Sequence, residues 1–116
     1  MFIRHAADLR TEDIPPALLN AMGEFVQAGF KNGKLVDTAG LQPTGKRIAL
    51  RRGRISAVDG PFTEAKELVG GYAIVDADSD DAAVEIARQF LDLHRVNWPG
   101  FEGECEVRPF QVDQPR

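Results

Sequence analysis

The sequence predicts an α+β domain in which strands and helices follow the order β-α-β, hairpin, β-α-β. Two stretches repeat apolar residues at helical spacing, and the runs around them are short, apolar and bounded by turn-forming residues. The pair Arg52-Gly53 separates two short apolar runs and indicates the tip of a hairpin. With 116 residues, 43% of them hydrophobic, the chain has the size of one core, so we expect a single domain over residues 1–116.

The first half of the chain begins with a strand and a helix. The first strand runs from Phe2 to Ala7, although Arg4 and His5 interrupt its apolar character. Pro15-Pro16 suits the first turn of a helix, where a missing N–H costs nothing, and Asn32-Gly33 ends that helix. Its apolar stripe is predicted to contain Leu18, Met22, Phe25, Val26 and Gly29.

A second strand and a hairpin follow the first helix. Residues Leu35 to Gly40 form the strand, and Ile48 to Leu50 with Ile55 to Val58 form the hairpin, because their apolar residues alternate. The turn residues that begin at Asp59 end the hairpin.

The second half of the chain contains a central strand, a capped helix and a last strand. Gly71 to Ala77 reads as the central strand, since it holds bulky and branched residues. Ser79 is the predicted cap of the second helix, and Asp80-Asp81 complements the positive helix end. The last strand runs from about Cys105 to Val112, with Pro109 at an edge or bulge. The apolar stripe of the helix contains Ala83, Ile86, Ala87 and Phe90.

The run from Val58 to Tyr72, VDGPFTEAKELVGGY, carries the most informative motif. Asp59, Gly60 and Pro61 form a turn signal, because they combine a short acceptor side chain, a flexible residue and a ring that fixes φ. Together with Phe62 they resemble the YCII-related family, in its DGPF-domain branch. The resemblance covers nearly the whole chain. Its other segments are Pro15-Pro16 with Ala21-Met22-Gly23, then Gly40-Leu41-Gln42-Pro43, and finally Glu106-Val107-Arg108-Pro109.

The resemblance implies a ferredoxin-like subunit with an antiparallel sheet that pairs into a dimeric α/β barrel. A physical argument leads to the same pairing. Two helices cover only one face of such a sheet, and a broad apolar face on the other side exceeds what soluble monomers usually expose. A second copy is the simplest cover, so we expect a homodimer with a cleft in each subunit.

Composition and charge exclude several classes of function. No apolar run approaches the roughly 20 residues that span a bilayer, and no secretion signal precedes the domain, so we expect a cytoplasmic protein without a membrane partner. The formal charge of −4 argues against nucleic-acid binding. Basic residues nevertheless concentrate between Lys46 and Arg54, either to keep a hairpin soluble or to attract an anionic substrate.

Cofactor and metal chemistry is not indicated by the sequence. The single Cys105 excludes an internal disulfide framework and is expected to be a small buried hydrophobe. The two histidines are far apart in sequence and offer no spacing typical of metal ligands, and no glycine-rich phosphate loop is present. We therefore expect no cofactor and no metal.

Asp59 and His5 are the candidate catalytic residues. If the carboxylate of Asp59 lies in a cleft shielded by Phe62, desolvation favours proton abstraction from a small carbon acid. If it accepts turn amides instead, its role is structural. His5 lies near a strand that would line the cleft and is able to act as acid or base near neutral pH. His94 falls at the end of the second helix, where we expect it to cap the helix or face solvent.

Four further residues are candidates for binding a small anionic ligand: Arg4, Phe62, Lys66 and Tyr72. The basic side chains would hold a carboxylate or carbonyl oxygen, and the phenol would donate a hydrogen bond. In a different branch of the YCII-related family, which has a proposed enzymatic role, a histidine follows a proline at the first helix entry and is paired with an aspartate elsewhere. Here that stretch reads Ile14-Pro15-Pro16-Ala17-Leu18, so the resemblance does not carry over that acid/base pair.

Two classes of function remain open. The first is a cofactor-independent lyase or isomerase that acts on a small acidic substrate. The second is a non-catalytic dimeric module that binds a ligand or regulates, since the resemblance links such proteins to extracytoplasmic-function sigma factors. An open pocket around an unpaired Asp59 favours the enzyme, whereas a close-packed cleft with Asp59 held by backbone donors favours the module.

Overall fold

A computed structural model describes residues 1–6, 8–60 and 67–111 of the chain. Within these ranges, two α-helices and six strands follow the predicted order, and a short 3₁₀ turn precedes the first helix. The α+β class is therefore confirmed. The elements are β1 (Phe2–Ala6), α1 (Pro16–Lys31), β2 (Leu35–Gly40), β3 (Lys46–Arg51), β4 (Arg54–Asp59), β5 (Glu67–Val75), α2 (Asp80–Asn97) and β6 (Gly103–Glu106).

Four of the strands form one sheet in the order β2-β5-β1-β6, and all neighbouring pairs are antiparallel. Each helix connects two strands of this sheet, so the chain crosses from β1 to β2 through α1 and from β5 to β6 through α2. This strand order is consistent with a ferredoxin-like fold. The strands β3 and β4 form a separate two-stranded sheet between β2 and β5.

The central strand β5 is longer at its beginning than predicted, and it contains a bulge. Its pairing with β1 moves from Ile3 opposite Gly71 to Arg4 opposite Val69, which leaves Gly70 as the extra residue. The sequence places the start of this strand at Gly71, because two adjacent glycines usually weaken a strand. The bulge lets the strand continue through them.

The two helices begin as their sequences predict. At α1, Pro15 occupies the N-cap position and Pro16 the first helical position, and no side chain caps the end. At α2, Ser79 Oγ accepts a hydrogen bond of 3.1 Å from the backbone N–H of Ala82, which confirms the predicted cap. The helices pack on each other through the rings of Phe25 on α1 and Phe90 on α2, and the two ring centroids lie 6.0 Å apart.

The helices cover one face of the four-stranded sheet. Side chains alternate along β1, so Ile3 and His5 point toward the helices, while Phe2 and Arg4 point away. Pairing places Tyr72 opposite Phe2, so this side chain also lies on the second face. No described helix covers that face, which we call the open face, and Phe2 is 40% exposed there. The buried apolar core of the described chain is small and consists of Leu18, Leu35, Ala73 and Ala87.

The last strand is shorter than predicted and starts earlier. It spans Gly103–Glu106 and pairs only with β1, where Glu106 lies opposite Phe2. The next residue, Met1, uses its backbone N–H and C=O on Ala73 of β5, so it does not extend the ladder with β6. The prediction of a strand from about Cys105 to Val112, with Pro109 at its edge or in a bulge, was therefore wrong over residues 107–111, because Pro109 follows the strand. Val112 lies outside the described residues.

Candidate ligand-binding site

A cavity of about 540 Å³ lies between the helix-facing side of the sheet and the two helices. It is lined mainly by apolar side chains from both layers, and the loop after α2 closes part of it. The residues that matter most for its character are Ile3 and Leu68 from the sheet, Leu18, Met22 and Phe90 from the helices, and Trp98 and Phe101 from the loop. Pockets of this size and character commonly bind small molecules in proteins.

His94 lies on the cavity wall, in the last turn of α2, and its side chain is only 7% exposed. The ring lies between the rings of Phe90 and Phe101, and both centroid distances are 4.8 Å. The prediction that His94 caps the helix or faces solvent was therefore wrong. The signal was present in the sequence, because His94 follows Phe90 by four residues and extends the apolar stripe of α2 by one turn.

A backbone hydrogen bond fixes the proton of the neutral His94 ring. Its Nδ1 lies 3.0 Å from the carbonyl oxygen of Phe90, and a carbonyl only accepts, so Nδ1 donates. Nε2 of the neutral ring is then an acceptor. Every fully buried side-chain nitrogen or oxygen among the described residues has a hydrogen-bond partner. Nε2 of His94 has no hydrogen bond to the same residues, so it is not fully buried. It therefore faces the open space of the cavity.

His5 lies on the same cavity, on the central strand β1, and is half-buried. Its Nδ1 is 2.8 Å from the carbonyl oxygen of Ala6, so this ring also donates from Nδ1 and leaves Nε2 as an acceptor. The Nε2 edge lies directly over Gly70, where a Cβ atom would overlap the imidazole. The bulge at Gly70 thus makes room for the histidine. The structure places His5 where the sequence expects it, and its catalytic role stays a prediction.

Asp59 is not among the residues that line this cavity. It ends β4 on the separate hairpin, where its carboxylate lies 3.4 Å from Nζ of Lys46 on β3. Both side chains are largely exposed, at 78% for Asp59 and 73% for Lys46. After it, the N–H of Gly60 donates to the carbonyl of Gly45. This position favours the structural interpretation of Asp59, and a chemical role remains a proposal.

Two other candidates lie on the open face, away from the cavity. The guanidinium of Arg4 binds Glu106 Oε1 at 3.1 and 3.2 Å, which ties β1 to β6. The hydroxyl of Tyr72 donates to Asp37 Oδ2 at 2.8 Å, and this hydrogen bond raises the pKa of Tyr72. Neither side chain shares a face of the sheet with His5. The candidates that the structure describes are therefore not assembled into one site.

The remaining candidates, Phe62 and Lys66, lie outside the described residues, as do residues 61–66 of the run that carries the DGPF motif. Sequence reasoning missed the polar groups that do reach the cavity besides His5. These include Thr38, whose hydroxyl donates to the carbonyl of Tyr72 at 2.7 Å, and the loop residue Gln42. Gln42 belongs to the segment Gly40-Leu41-Gln42-Pro43 that carries part of the family resemblance, which was the available signal.

Cys105 shows none of the properties of a reactive thiol. It is half-buried on β6, opposite Ile3, and burial raises its pKa to about 11. A thiol with this pKa stays protonated near neutral pH and is a poor nucleophile.

Among the described residues, no group of three histidine, cysteine, aspartate or glutamate side chains is arranged to hold a metal ion. In the same part of the chain, no helix has the length and apolar character needed to cross a membrane.

Comparison with known proteins identifies the family of this chain. The sequence profile of the YCII-related domain matches residues 5–90, which include the end of β1, then α1, β2, the hairpin, β5 and most of α2. An uncharacterized protein of Rhizobium meliloti (strain 1021) is 40% identical over 94 residues, which is 79% of this chain and 68% of the relative. The chain therefore belongs to the YCII-related family.

Proposed function

We propose that this protein binds a small, largely apolar carboxylic acid in the cavity between its sheet and helices. One observation supports this most strongly. Two imidazoles, His5 and His94, line a single apolar cavity, and each is anchored through Nδ1 to a backbone carbonyl. Such anchoring fixes both rings, and at His94 it leaves Nε2 for a ligand. Apolar walls recognise the body of the ligand, and the imidazoles recognise its acidic group.

The cavity wall gives physical support for an acid rather than a neutral apolar molecule. In an apolar pocket, hydrogen bonds and charges act more strongly than in water. Nε2 of His94 has no partner among the described residues. A carboxyl group supplies the proton that such a nitrogen accepts, or forms an ion pair once the proton has moved.

Trp98 allows a direct test of this proposal. It is the only tryptophan of the chain and lines the cavity, so its fluorescence reports ligand entry. We expect a saturable change when the protein is titrated with small carboxylic acids, which range from keto and muconate-type acids to benzoate and octanoate. His94→Phe keeps an aromatic ring between Phe90 and Phe101 but removes the acceptor, and we expect it to weaken binding about tenfold or more.

Asp59→Asn is the matched control, since it changes an exposed residue of the hairpin and not the cavity. It is expected to bind the acid as the wild type does. If no acid saturates the fluorescence change, or if His94→Phe binds as tightly as the wild type, the proposed site is wrong. Equal losses in His94→Phe and Asp59→Asn would also contradict it.

A second candidate function is a cofactor-independent lyase or isomerase for a small acidic substrate. His5 is the favoured proton acceptor, because it lines the cavity while Asp59 is exposed beside Lys46. Turnover of the bound acid that His5→Gln abolishes while binding persists would establish catalysis. Binding without turnover would instead assign the protein to the non-catalytic ligand-binding or regulatory class, with the proposed link to sigma factors of the extracytoplasmic-function type.

Three further features belong to this proposal. The run Asp59-Gly60-Pro61-Phe62 supports membership of the DGPF-domain branch of the family. The open face, with Phe2 40% exposed, supports pairing with a second copy into a dimeric barrel. A cytoplasmic location agrees with the low cysteine content of the chain.

A further inference from the structure

The hairpin of β3 and β4, Lys46–Asp59, has two chemically different faces, and we call it the arm. Side chains that share a face follow from the register, which places Ile48 opposite Ala57 and Leu50 opposite Ile55. These four residues form an apolar face. The ion pair of Lys46 with Asp59 lies on the same face, at the base of the arm. The opposite face carries three arginines together with Val58. The arginines are Arg47, Arg51 and Arg54.

The apolar face of the arm lies in water in the single chain. Ile48 is 65% exposed, Leu50 is 70% exposed and Ile55 is 76% exposed. Neither strand of the arm packs extensively on another described helix or strand. The molecule is accordingly extended, with a radius of gyration of 16.2 Å, whereas a compact domain of this length has about 13 Å.

An isolated two-stranded hairpin is only marginally stable in water and needs a surface to pack on. The alternation of apolar and basic residues on the arm suits a surface that is apolar at its centre and acidic at its edges. The open face of the sheet has this character. Its central strands carry the apolar residues Phe2 and Ile74, and the charge of Arg4 beside them is paired with Glu106. Acidic residues flank this centre, with Asp37 on β2 and Glu104 on β6.

Charge favours a second copy of this chain as the partner. The arm holds five basic residues and one acidic residue, whereas the rest of the chain holds nine basic and seventeen acidic residues. Each copy therefore presents a positive arm and a negative body, and two copies attract through complementary surfaces. A two-fold axis satisfies both arms at once, which closes the assembly.

We propose that the arm of each copy lies across the open face of a second copy, with Leu50 and Ile55 packed on the partner sheet. This inference rests on the pairing of two copies proposed above and assigns the element that holds the pair. The basic face of the arm then lies near the acidic edges of the partner sheet.

The test measures association by sedimentation velocity over a dilution series at two salt concentrations. We expect the wild type to pair, with a mass of two 12.7 kDa chains, and to dissociate more readily at high salt. The double change Leu50→Thr with Ile55→Thr places β-branched residues, which suit strands, at both positions but removes most of the apolar surface of that face. It is expected to raise the dissociation constant about tenfold or more. Ala49→Thr with Ser56→Thr, on the opposite face of the same strands, is the matched control and should pair normally.

The partner surface is tested by Phe2→Thr, which we also expect to weaken pairing. Its control is Phe30→Thr, because Phe30 is 49% exposed at the end of α1 and lies outside the sheet. Hydrogen exchange of the wild type provides a measurement that needs no variant. Amides of the arm are expected to become protected as the protein concentration rises.

Several results would overturn the inference. A wild type that stays at 12.7 kDa at every concentration removes the pair itself, and an arm variant that pairs like the wild type assigns the pairing to another surface. If the wild type stays monomeric and its arm binds duplex DNA or phosphatidylglycerol vesicles, the partner of the arm is not a second copy of this chain. The same variants are also titrated with a small carboxylic acid, and Trp98 fluorescence reports binding in the cavity. This measurement does not depend on pairing, so it distinguishes a failure of the arm proposal from a failure of the cavity proposal.

Discussion

The absence of a side chain at Gly70 decides the shape of the cavity. A Cβ atom at this position would overlap Nε2 and the adjacent carbon of His5. The imidazole cannot rotate away without losing the hydrogen bond between its Nδ1 and Ala6. Glycine at the bulge and histidine on the neighbouring strand are therefore one structural unit.

Gly70→Ala is expected to destabilise the fold by about 1–3 kcal/mol, because the methyl group displaces a side chain that is packed against the strand. It should also reduce acid binding, since the displaced ring enters the cavity. Urea denaturation and Trp98 fluorescence measure the two effects. Gly23→Ala is the control, because no atom lies within 4 Å of the added methyl and alanine favours a helix, so stability should rise by about 0.5–1 kcal/mol. Wild-type stability in Gly70→Ala would contradict the proposed packing.

His94 shows why a titratable residue near a helix end is easily misassigned. Helix ends favour histidine as a cap, and this preference supported the wrong prediction. The stronger signal was the period of 3.6 residues, which places His94 on the same face as Ala87 and Phe90. His94 is buried because it lies on the apolar face of α2, and its position near the helix end does not expose it.

At the scale of elements, the cap of α2 gives a quantitative prediction. Ser79 Oγ accepts from the N–H of Ala82, and the following residues are acidic, so the first turn has both a cap and favourable charges. Ser79→Ala is expected to lower the free energy of unfolding by about 1 kcal/mol. Ser79→Asp retains a capping oxygen and should restore stability. The measurement is thermal or urea unfolding, and an unchanged Ser79→Ala variant would show that the cap contributes nothing.

The elements themselves were largely predictable, because each has a local signal. Pro15-Pro16 marks the start of α1, Ser79 marks the start of α2, and alternating residues mark β2 and the hairpin. Strand ends were less predictable. The start of β5 depends on the bulge at Gly70, and the end of β6 depends on where β1 stops offering partners. Both are set by pairing between distant segments, which the local sequence does not report.

The site was predicted less well than the fold for the same reason. His5 was identified because it lies within a strand, but its neighbour across the cavity, His94, is 89 positions away in the sequence. Asp59 was favoured because it lies in the most recognisable motif, and the structure places it on the exposed arm. A motif identifies a family, whereas a site depends on which faces the fold brings together.

At the scale of the whole molecule, the pH dependence of stability follows from three groups with shifted pKa values. Burial raises the pKa of Cys105 to about 11, and the hydrogen bond to Asp37 raises that of Tyr72. Both groups are neutral when protonated, so the folded state favours their protonated forms. Their contribution to stability is complete below the pKa of the unfolded chain and is lost as the pH rises through the folded pKa.

The ammonium group of Met1 acts in the opposite direction. Burial lowers its pKa below the ordinary value of 8.0, although it donates to the carbonyl of Ala73. Its contribution is lost as the pH falls through the lowered pKa and is constant above about pH 8. Above pH 8, among the three shifted groups, only Cys105 and Tyr72 change stability with pH. They act in the same direction.

We therefore expect the free energy of unfolding to fall between about pH 9 and pH 11, and the slope to be shallower in Cys105→Ala. The absolute stability of the variant also changes, because a half-buried side chain is shortened, so the comparison uses the slope alone. Tyr72→Phe removes the other titrating group and should likewise flatten the curve. Urea denaturation across this range measures both effects. A slope that is the same in the wild type and in the Cys105→Ala, Tyr72→Phe double variant would show that neither group couples its proton to folding, and would contradict the burial of Cys105 between β6 and the helices.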